Sequence, residues 1–565
     1  MNLISRLKDL VINQTQLLFN VTNEQLARIE FKINVEDEKS FGDVSCNVAM
    51  ILAKQIGKSP REIATALEQV LLQPAHRDII AAVTIAGPGF LNLTLTSYAW
   101  KMLLQELFAQ KRNFFKLAPQ DQKQKYLIEF VSANPTGPLH LGHGRGGIIG
   151  DTLARVLGFL GHSVSKEFYI NDAGSQIKKL GLTLKARCLQ QMGIAAELPE
   201  DGYAGEYMVD LAKDCIAEHG DTVKEKSDQF FELYAKEHML KLLKATLTSY
   251  NITFDCWYSE KSLHDSGAIE RTLNELKAKD LVYELDGALW FKSTAFGDDK
   301  DRVVKKSNGE LTYVAADIAY HKDKFDRGYD VLIDILGHDH HGYVKRLKAT
   351  MEALGQNPDM LQVVLYQLVN IKDGGVAVRM SKRAGTFTKL SDVIEEVGTD
   401  VARFFYLNRK TDMPLDFDLA TALKKTDENP VYYIQYAYVR INSLMHKAAQ
   451  EGFGDWVSQL RDGKVSAAWF DQVAPLIGPE EAVLIKKITA MNDILRSIAG
   501  THQTHTLSYY AWELAQKMHT YYTKHKVLDA SQQELSRFRL FMVFTVHQTL
   551  DLSLDLLGLS KPEKM

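Results

Sequence analysis

Apolar residues recur at helical spacing through much of the chain and alternate in only a few short windows. Leu3, Ile4, Leu7, Leu10 and Val11 fall on one helix face, with Arg6, Lys8 and Asp9 between them. That pattern predicts an amphipathic helix, not the uninterrupted apolar core of a signal peptide. Helical periodicity returns over 47–55 and 60–72. Alternation then marks 83–85 and 90–95, split by Gly87-Pro88-Gly89, which predicts two strands joined by a tight turn. The polar stretch 118–125 reads as a linker. Residues 1–115 are therefore expected to form an N-terminal α+β domain.

From Tyr126 the texture changes. YLIEFV (126–131), EFYIN (167–171), LWFK (289–292) and YDVLIDILG (329–337) are compact strand candidates with helical segments between them. Strand–helix alternation predicts an α/β domain over 116–400 with a doubly wound parallel sheet. Residues 177–265 carry helical pattern without an obvious strand and read as an insertion. Beyond about 400 strand signals nearly vanish; within a C-terminal domain over 401–565, residues 430–565 read as long amphipathic helices and are expected to form an all-α bundle. No internal repeat is present. No apolar run approaches the roughly 18–20 residues a membrane span needs, so no membrane partner is expected.

Composition adds bounds. The chain has 565 residues, 45% hydrophobic and 24% charged, enough for several cores and too apolar for general disorder. Lys plus Arg is 67 and Asp plus Glu is 71, so the net charge of −4 does not advertise a nucleic-acid binder. Cys46, Cys188, Cys215 and Cys256 form no C-x-x-C pair, which argues against a zinc ribbon or redox dithiol. Sparse cysteine fits a reducing cytoplasm.

The candidate chemistry sits in Glu129-Phe-Val-Ser-Ala-Asn-Pro-Thr-Gly-Pro-Leu-His-Leu-Gly-His-Gly-Arg-Gly-Gly147. Its core, His140-Leu141-Gly142-His143, stands at the mouth of a predicted helix after a strand and loop. A helix N-terminus offers free N–H groups and a positive dipole end, and two imidazoles can donate to phosphate oxygens. This arrangement suits a nucleoside triphosphate. Gly142, Gly144 and Gly147 also spell G-x-G-x-x-G, with Glu167 beyond them. In a dinucleotide site, however, the first glycine follows its strand almost directly. Here Gly142 comes eleven positions after Val131, past two prolines. Gly337–Gly342 approaches a P-loop, but Tyr343 replaces the lysine. Far downstream, Val378-Arg-Met-Ser-Lys-Arg-Ala-Gly385 could clamp a pyrophosphate through Arg379, Lys382 and Arg383, although alone it would read as a solvated basic loop. His338-Asp339-His340-His341 could ligate a metal, but adjacent residues of an extended chain point opposite ways, so no metal site is expected there.

H-x-G-H followed by R-M-S-K-R resembles the paired signature of class I aminoacyl-tRNA synthetases. The string FVSANPTGPLHLGHGRGGIIGDTLARVL is similar to that of arginyl-tRNA synthetases. So are YVAADIAYH (313–321), GHDHHGYVKRL (337–347), VYYIQYAYVRINSL (431–444), FGDVSCNVAMILAK (41–54), AGPGFLNLTL (86–95) and the closing LLGLSKPEKM. The resemblance spans essentially the whole chain. It implies a class I synthetase fold and a ligase using ATP with Mg²⁺ to make arginyl-adenylate, with tRNA bound. The arginine then passes to the 3′-terminal adenosine of tRNA(Arg), releasing AMP and pyrophosphate. It also implies a cytoplasmic monomer.

Carried over by matching position, His140, His143 and Lys382 would be catalytic, acting on the phosphates. Gly142, Gly337, Asp339 and Met380 would join them around ATP. Arg379 and Arg383 depart from the usual K-M-S-K-S pattern, where lysine and serine stand, and an arginine fork engages phosphate differently from a lysine. An arginine substrate carries five donors on a planar fork, which calls for carboxylates. Glu129 and Asp317 match family positions in that pocket, although outside the motif Asp317 would read as an N-cap or surface carboxylate. Tyr313 would pack against arginine, Ser132 and Asn134 would hold its α-amino and carboxylate ends, and His341 would add a polar contact. The family sets its N-terminal domain on the tRNA corner, where Phe90 would stack and Asn92 would read an edge, unless they are a core Phe and a turn Asn. Tyr432, Tyr436 and Arg440 share a helix face and, with His519, Tyr522 and Met565, would meet the anticodon. Among Tyr432, Tyr433, Tyr436 and Tyr438 some must be core. The alternatives are an inactive tRNA-binding relative, disfavoured by the intact His140, His143, Lys382, Glu129 and Asp317, and a free-standing nucleotidyltransferase, generally much shorter.

Overall fold

The computed structural model describes residues 3–26, 28–34, 42–119, 121–377 and 389–565. The first unit is an antiparallel sheet of β1 (Phe31–Ile33), β2 (Val44–Cys46), β3 (Ile80–Ala86) and β4 (Phe90–Leu95), in the order β1-β2-β4-β3. The hairpin expected around Gly87-Pro88-Gly89 is β3–β4, closed by Ala86 opposite Phe90. Gly87 takes φ +52°, a left-handed value that glycine adopts without steric cost. Helices Leu3–Phe19, Val48–Ile56, Pro60–Leu71 and Ser97–Gln110 cover the sheet. Pro60–Leu71 starts on a capping box, Ser59 with Glu62.

The second unit carries a five-stranded parallel sheet. Its strands are β5 (Lys125–Phe130), β6 (Ser163–Ile170), β7 (Cys256–Ser259), β11 (Val331–Gly337) and β12 (Leu361–Tyr366), ordered β12-β11-β5-β6-β7. The chain leaves β5 toward β6 and returns on its other side as β11, so the β5–β11 boundary is a switch point. Ligands bind outside the strand carboxyl ends at such points.

Three expectations need correcting. Residues 289–292 do not join the parallel sheet. They lie in β9 (Ala288–Phe291), between β8 (Val282–Leu285) and β10 (Arg302–Lys305) in a separate antiparallel meander. Asp286-Gly287, both at positive φ, form the two-residue turn that fixes β8–β9 as a hairpin. The insertion is shorter than 177–265, because β7 already belongs to the main sheet. β7 is half-buried along its whole length, so it carries no alternation to read. The insertion proper is three helices, Ser175–Gln191, Glu206–His219 and Asp228–Ser249, with a core of its own built on Leu180, Leu184, Met208 and Phe231. Finally, strand structure continues past 400. β15 (Leu415–Asp418) pairs in parallel with β13 (Val369–Asp373), which also pairs with β14 (Val376–Ala377).

From Pro430 onward the described chain is helical. Pro430–Ala448 and His505–Lys524 pack against Gln533–Leu557. This last helix is long and apolar enough to cross a membrane, contrary to the reading above, yet 78% of its most apolar window is buried inside the protein. The bundle is tied back to the sheet by Arg403, which is fully buried. Its guanidinium donates to Asp151 Oδ2 at 2.8 Å, Tyr250 O at 2.6 Å and Leu557 O at 2.9 Å.

Candidate active site

A cavity of about 500 Å³ opens at the carboxyl ends of β5 and β11. Its first wall is the loop after β5. Val131 and Ser132 take φ of 70° and 38°, left-handed values that cost a residue with a side chain roughly 1–3 kcal/mol each. Ser132 is held there by donating through Oγ to Glu129 Oε1 at 2.8 Å and accepting from the Tyr169 N–H at 3.1 Å. Asn134 follows on the cavity wall.

The loop ends where His140 caps the Leu141–Leu160 helix. His140 Nδ1 accepts from the Gly142 N–H at 3.1 Å, and His143 Nδ1 accepts from the His140 N–H at 3.2 Å. The rings stack with centroids 3.6 Å apart. With both Nδ1 atoms accepting, each neutral ring carries its proton on Nε2. Burial lowers the His140 pKa, and burial together with His140 brings that of His143 down to about 3. The pair therefore offers neutral N–H donors near neutral pH. The neighbouring glycines admit protein rather than ligand. A Cβ on Gly144 would lie 2.4 Å from Leu390, on Gly146 2.7 Å from Tyr366, and on Gly150 2.3 Å from Phe130.

The opposite wall is acidic. Asp317, Glu129 and Glu260 all line the cavity. Burial pushes the Asp317 carboxyl up to about 7, with Glu260 and Glu129 adding to the rise and His321 and Arg346 opposing it. Burial also raises Glu260. Glu129 differs from the expectation of a carboxylate open to a guanidinium. Its Oε2 already accepts from Lys324 Nζ at 2.5 Å and its Oε1 from Ser132. Lys324 is fully buried, donates also to Asp334 at 2.8 Å, and Asp334 meets His321 Nε2 at 2.9 Å. This satisfied ionic layer forms the cavity floor. Glu260 went unread in the sequence. Only the folding of β7 onto β6 brings it here, and no motif flagged it.

Tyr313 stands at the cavity rim, 60% exposed, and Gly337 and Asp339 line the wall near the imidazoles. His341 does not line the cavity; His340 does. The short 3-10 turn after β11 directs His341 Nδ1 to the His338 carbonyl at 3.1 Å. Met380 and Lys382 lie outside the described residues, as do Arg379 and Arg383. Their segment starts just after β14 and returns at Lys389, which is bridged to His140. The Leu390 N–H donates to the Leu139 carbonyl at 2.7 Å. That return places Lys389 and Leu390 beside the imidazole pair.

Three family descriptions match successive parts of the chain. Residues 5–95 match the arginyl tRNA synthetase N terminal domain, 103–426 the catalytic domain of class I tRNA synthetases (R), and 434–565 the DALR anticodon binding domain. An arginine–tRNA ligase of Nitratidesulfovibrio vulgaris is 43% identical over 541 residues, 94% of this chain and 95% of that protein. One from Solidesulfovibrio magneticus is 44% identical over 533 residues, 94% of each. The chain belongs to the arginyl-tRNA synthetase family. The fold agrees: the Thermus thermophilus arginyl-tRNA synthetase superposes with a TM-score of 0.75 at 22% identity, covering 99% of this chain and 100% of that one.

On this synthetase the expected RNA-facing residues divide. Phe90 is 39% exposed at the start of β4. Asn92 is only 1% exposed and meets Ser45 Oγ at 3.0 Å across the sheet, so it reads no base edge from there. In the bundle, Tyr432 and Tyr436 stack at 6.3 Å, and Arg440 lies over the Tyr436 and Tyr522 rings at 4.6 and 5.0 Å. His519 lies beneath this face, buried, with its Nδ1 3.2 Å from Arg440. Tyr438 is core, stacked on His547. Met565 is exposed at the chain end.

Proposed function

We propose that this chain is an ATP-dependent arginine–tRNA ligase, and that the cavity is where it activates L-arginine. The observation that carries the proposal is the pairing, in one 500 Å³ cavity, of an acidic wall with a stacked, neutral imidazole pair at a helix N-terminus. Asp317 and Glu260 would receive the guanidinium. Burial raises both carboxyl pKa values, and a permanently charged guanidinium bound beside them offsets that penalty. Glu129 would act through Ser132, which with Asn134 holds the α-amino and carboxylate ends. Tyr313 would close over the substrate from the rim.

The arginine carboxylate attacks the α-phosphorus of ATP, forming the arginyl-adenylate and expelling pyrophosphate. The 3′-terminal hydroxyl of tRNA then attacks the arginyl carbonyl, forming the ester and releasing AMP. The nucleophiles belong to the substrates, so the protein supplies position and charge stabilisation. His140 and His143 donate through Nε2 to phosphate oxygens as charge grows. Gly142, Gly337 and Asp339 border the nucleotide, and Met380 and Lys382 would approach its phosphates. Mg²⁺ would arrive on the nucleotide as part of the substrate. Among the described residues no group of three His, Cys, Asp or Glu side chains is arranged to hold a metal. The tRNA(Arg) would lie along Phe90 at one end and Tyr432, Tyr436, Arg440 and Tyr522 at the other, with His519 supporting Arg440 and Met565 nearby. The four free cysteines support a reducing cytoplasm, and a monomer is the proposed assembly.

The test is ATP–pyrophosphate exchange with each amino acid, with and without tRNA. Exchange with arginine, and only when tRNA is added, is expected. Absence of exchange under both conditions contradicts the ligase assignment, and equal exchange in both contradicts the tRNA requirement. Sedimentation of the purified chain checks the monomer.

A further inference from the structure

The helical insertion reaches the loop between β5 and the imidazole pair through the side chain of Tyr207. Tyr207, in the first turn of helix Glu206–His219, donates from its hydroxyl to the Thr136 carbonyl at 2.7 Å. The approach is close on the loop side as well: a Cβ on Gly137 would lie 3.0 Å from Tyr207 Oη and 3.2 Å from Cζ. Gly205 makes room behind the ring, since a Cβ there would lie 2.4 Å from Tyr207 Cε1. The hydroxyl thus reaches a loop that begins in two left-handed, strained residues, Val131 and Ser132. Strained backbone persists only where its surroundings over-determine it. Ser132 has its own anchors in Glu129 and Tyr169, and His140 has its capping bonds to Gly142 and His143. The middle of the loop is braced locally by the Thr136 N–H on the Asn134 carbonyl at 2.8 Å. Tyr207 adds an anchor on this turn from outside the loop.

We infer that Tyr207 is a positioning residue for amino-acid binding: through the Thr136 carbonyl it sets the turn that presents Asn134 to the substrate. The inference rests on the proposed arginine site and adds to it an element outside the parallel sheet. It separates the two substrates. The contact falls on the Asn134–Thr136 turn, whereas His140 and His143 are held by bonds that do not involve the insertion. Loss of the hydroxyl should therefore be felt by arginine and not by ATP.

The experiment is steady-state exchange and aminoacylation by Tyr207→Phe, which keeps the ring packing and deletes one donor. The KM for arginine is expected to rise about 3- to 10-fold, the factor a neutral hydrogen bond commands. The KM for ATP should stay within about twofold and the melting temperature within about 2 °C. Gly137→Ala, which pushes on the same contact from the loop, should raise the arginine KM similarly. The double variant should lose no more than about twofold beyond the worse single one, because both act on one contact. An arginine KM unchanged in Tyr207→Phe, or arginine and ATP values rising together, overturns the positioning role. A wild-type chain without arginine-dependent exchange overturns the ligase reading itself, whereas an active wild type matched by Tyr207→Phe overturns only this inference.

Discussion

Asp317 shows how a single residue's surroundings decide its chemistry. Burial lifts its carboxyl to about 7, so near neutrality it is only partly ionised. A guanidinium stays charged at every relevant pH and binds the ionised form. Arginine binding should therefore weaken as pH falls through about 7. With that midpoint, the arginine KM is expected to be roughly tenfold higher at pH 6 than at pH 8. Asp317→Asn should raise KM at pH 8 and flatten this dependence. A wild-type arginine KM that is level from pH 6 to 8 would contradict the assignment. Residues of this kind were only half legible in the sequence. The family motif marked Asp317 and Glu129 alike, yet Glu129 is occupied by a lysine ten residues upstream of Asp334, and that partnership exists only in three dimensions.

At the scale of elements, the Leu141–Leu160 helix performs two tasks with one set of glycines. Gly142 lies beside the His140 ring, which an added Cβ would meet at 3.0 Å. Gly150 lies under Phe130 of β5, with only 2.3 Å available. Gly142→Ala should displace the ring and depress exchange while leaving stability nearly unchanged. Gly150→Ala should overpack the helix against the sheet and cost about 1–3 kcal/mol, read by denaturant unfolding. Equal effects of the two on stability would show that the helix start is also a packing site. In the sequence nothing distinguishes the task of Gly142 from that of Gly150. Packing distances, which depend on what the sheet and the returning Leu390 bring up against the helix, separate them.

For the whole molecule, Arg403 is the joint between otherwise distant parts. Its side chain meets Asp151 on the signature helix, the end of the insertion at Tyr250, and the last helix at Leu557. Gly558 presses on the guanidinium so closely that a Cβ would lie 2.3 Å from Nη2. Arg403→Met should cost about 3 kcal/mol, the low end for breaking a buried pair, because Asp151 keeps Arg155 at 2.7 Å and Lys166 at 3.4 Å. Denaturant unfolding measures this, and a loss under about 1 kcal/mol would mean that the parts are joined elsewhere.

The net charge of −4 also reads differently at this scale. Acidic groups gather at the cavity, while Arg440 and its tyrosines face outward, so an average conceals a division. Local pattern alone determined the N-terminal hairpin, the strands β5, β6 and β11, the helical bundle and the imidazole signature. These features depend on residues close in sequence, where periodicity and turn chemistry act directly. Tertiary structure decided the rest: that 289–292 pairs in a meander, that β7 carries Glu260 to the cavity, that Asn92 is buried and that His340 rather than His341 lines the wall. Each of these turns on contacts between segments far apart in the chain, and such contacts leave no period in the sequence.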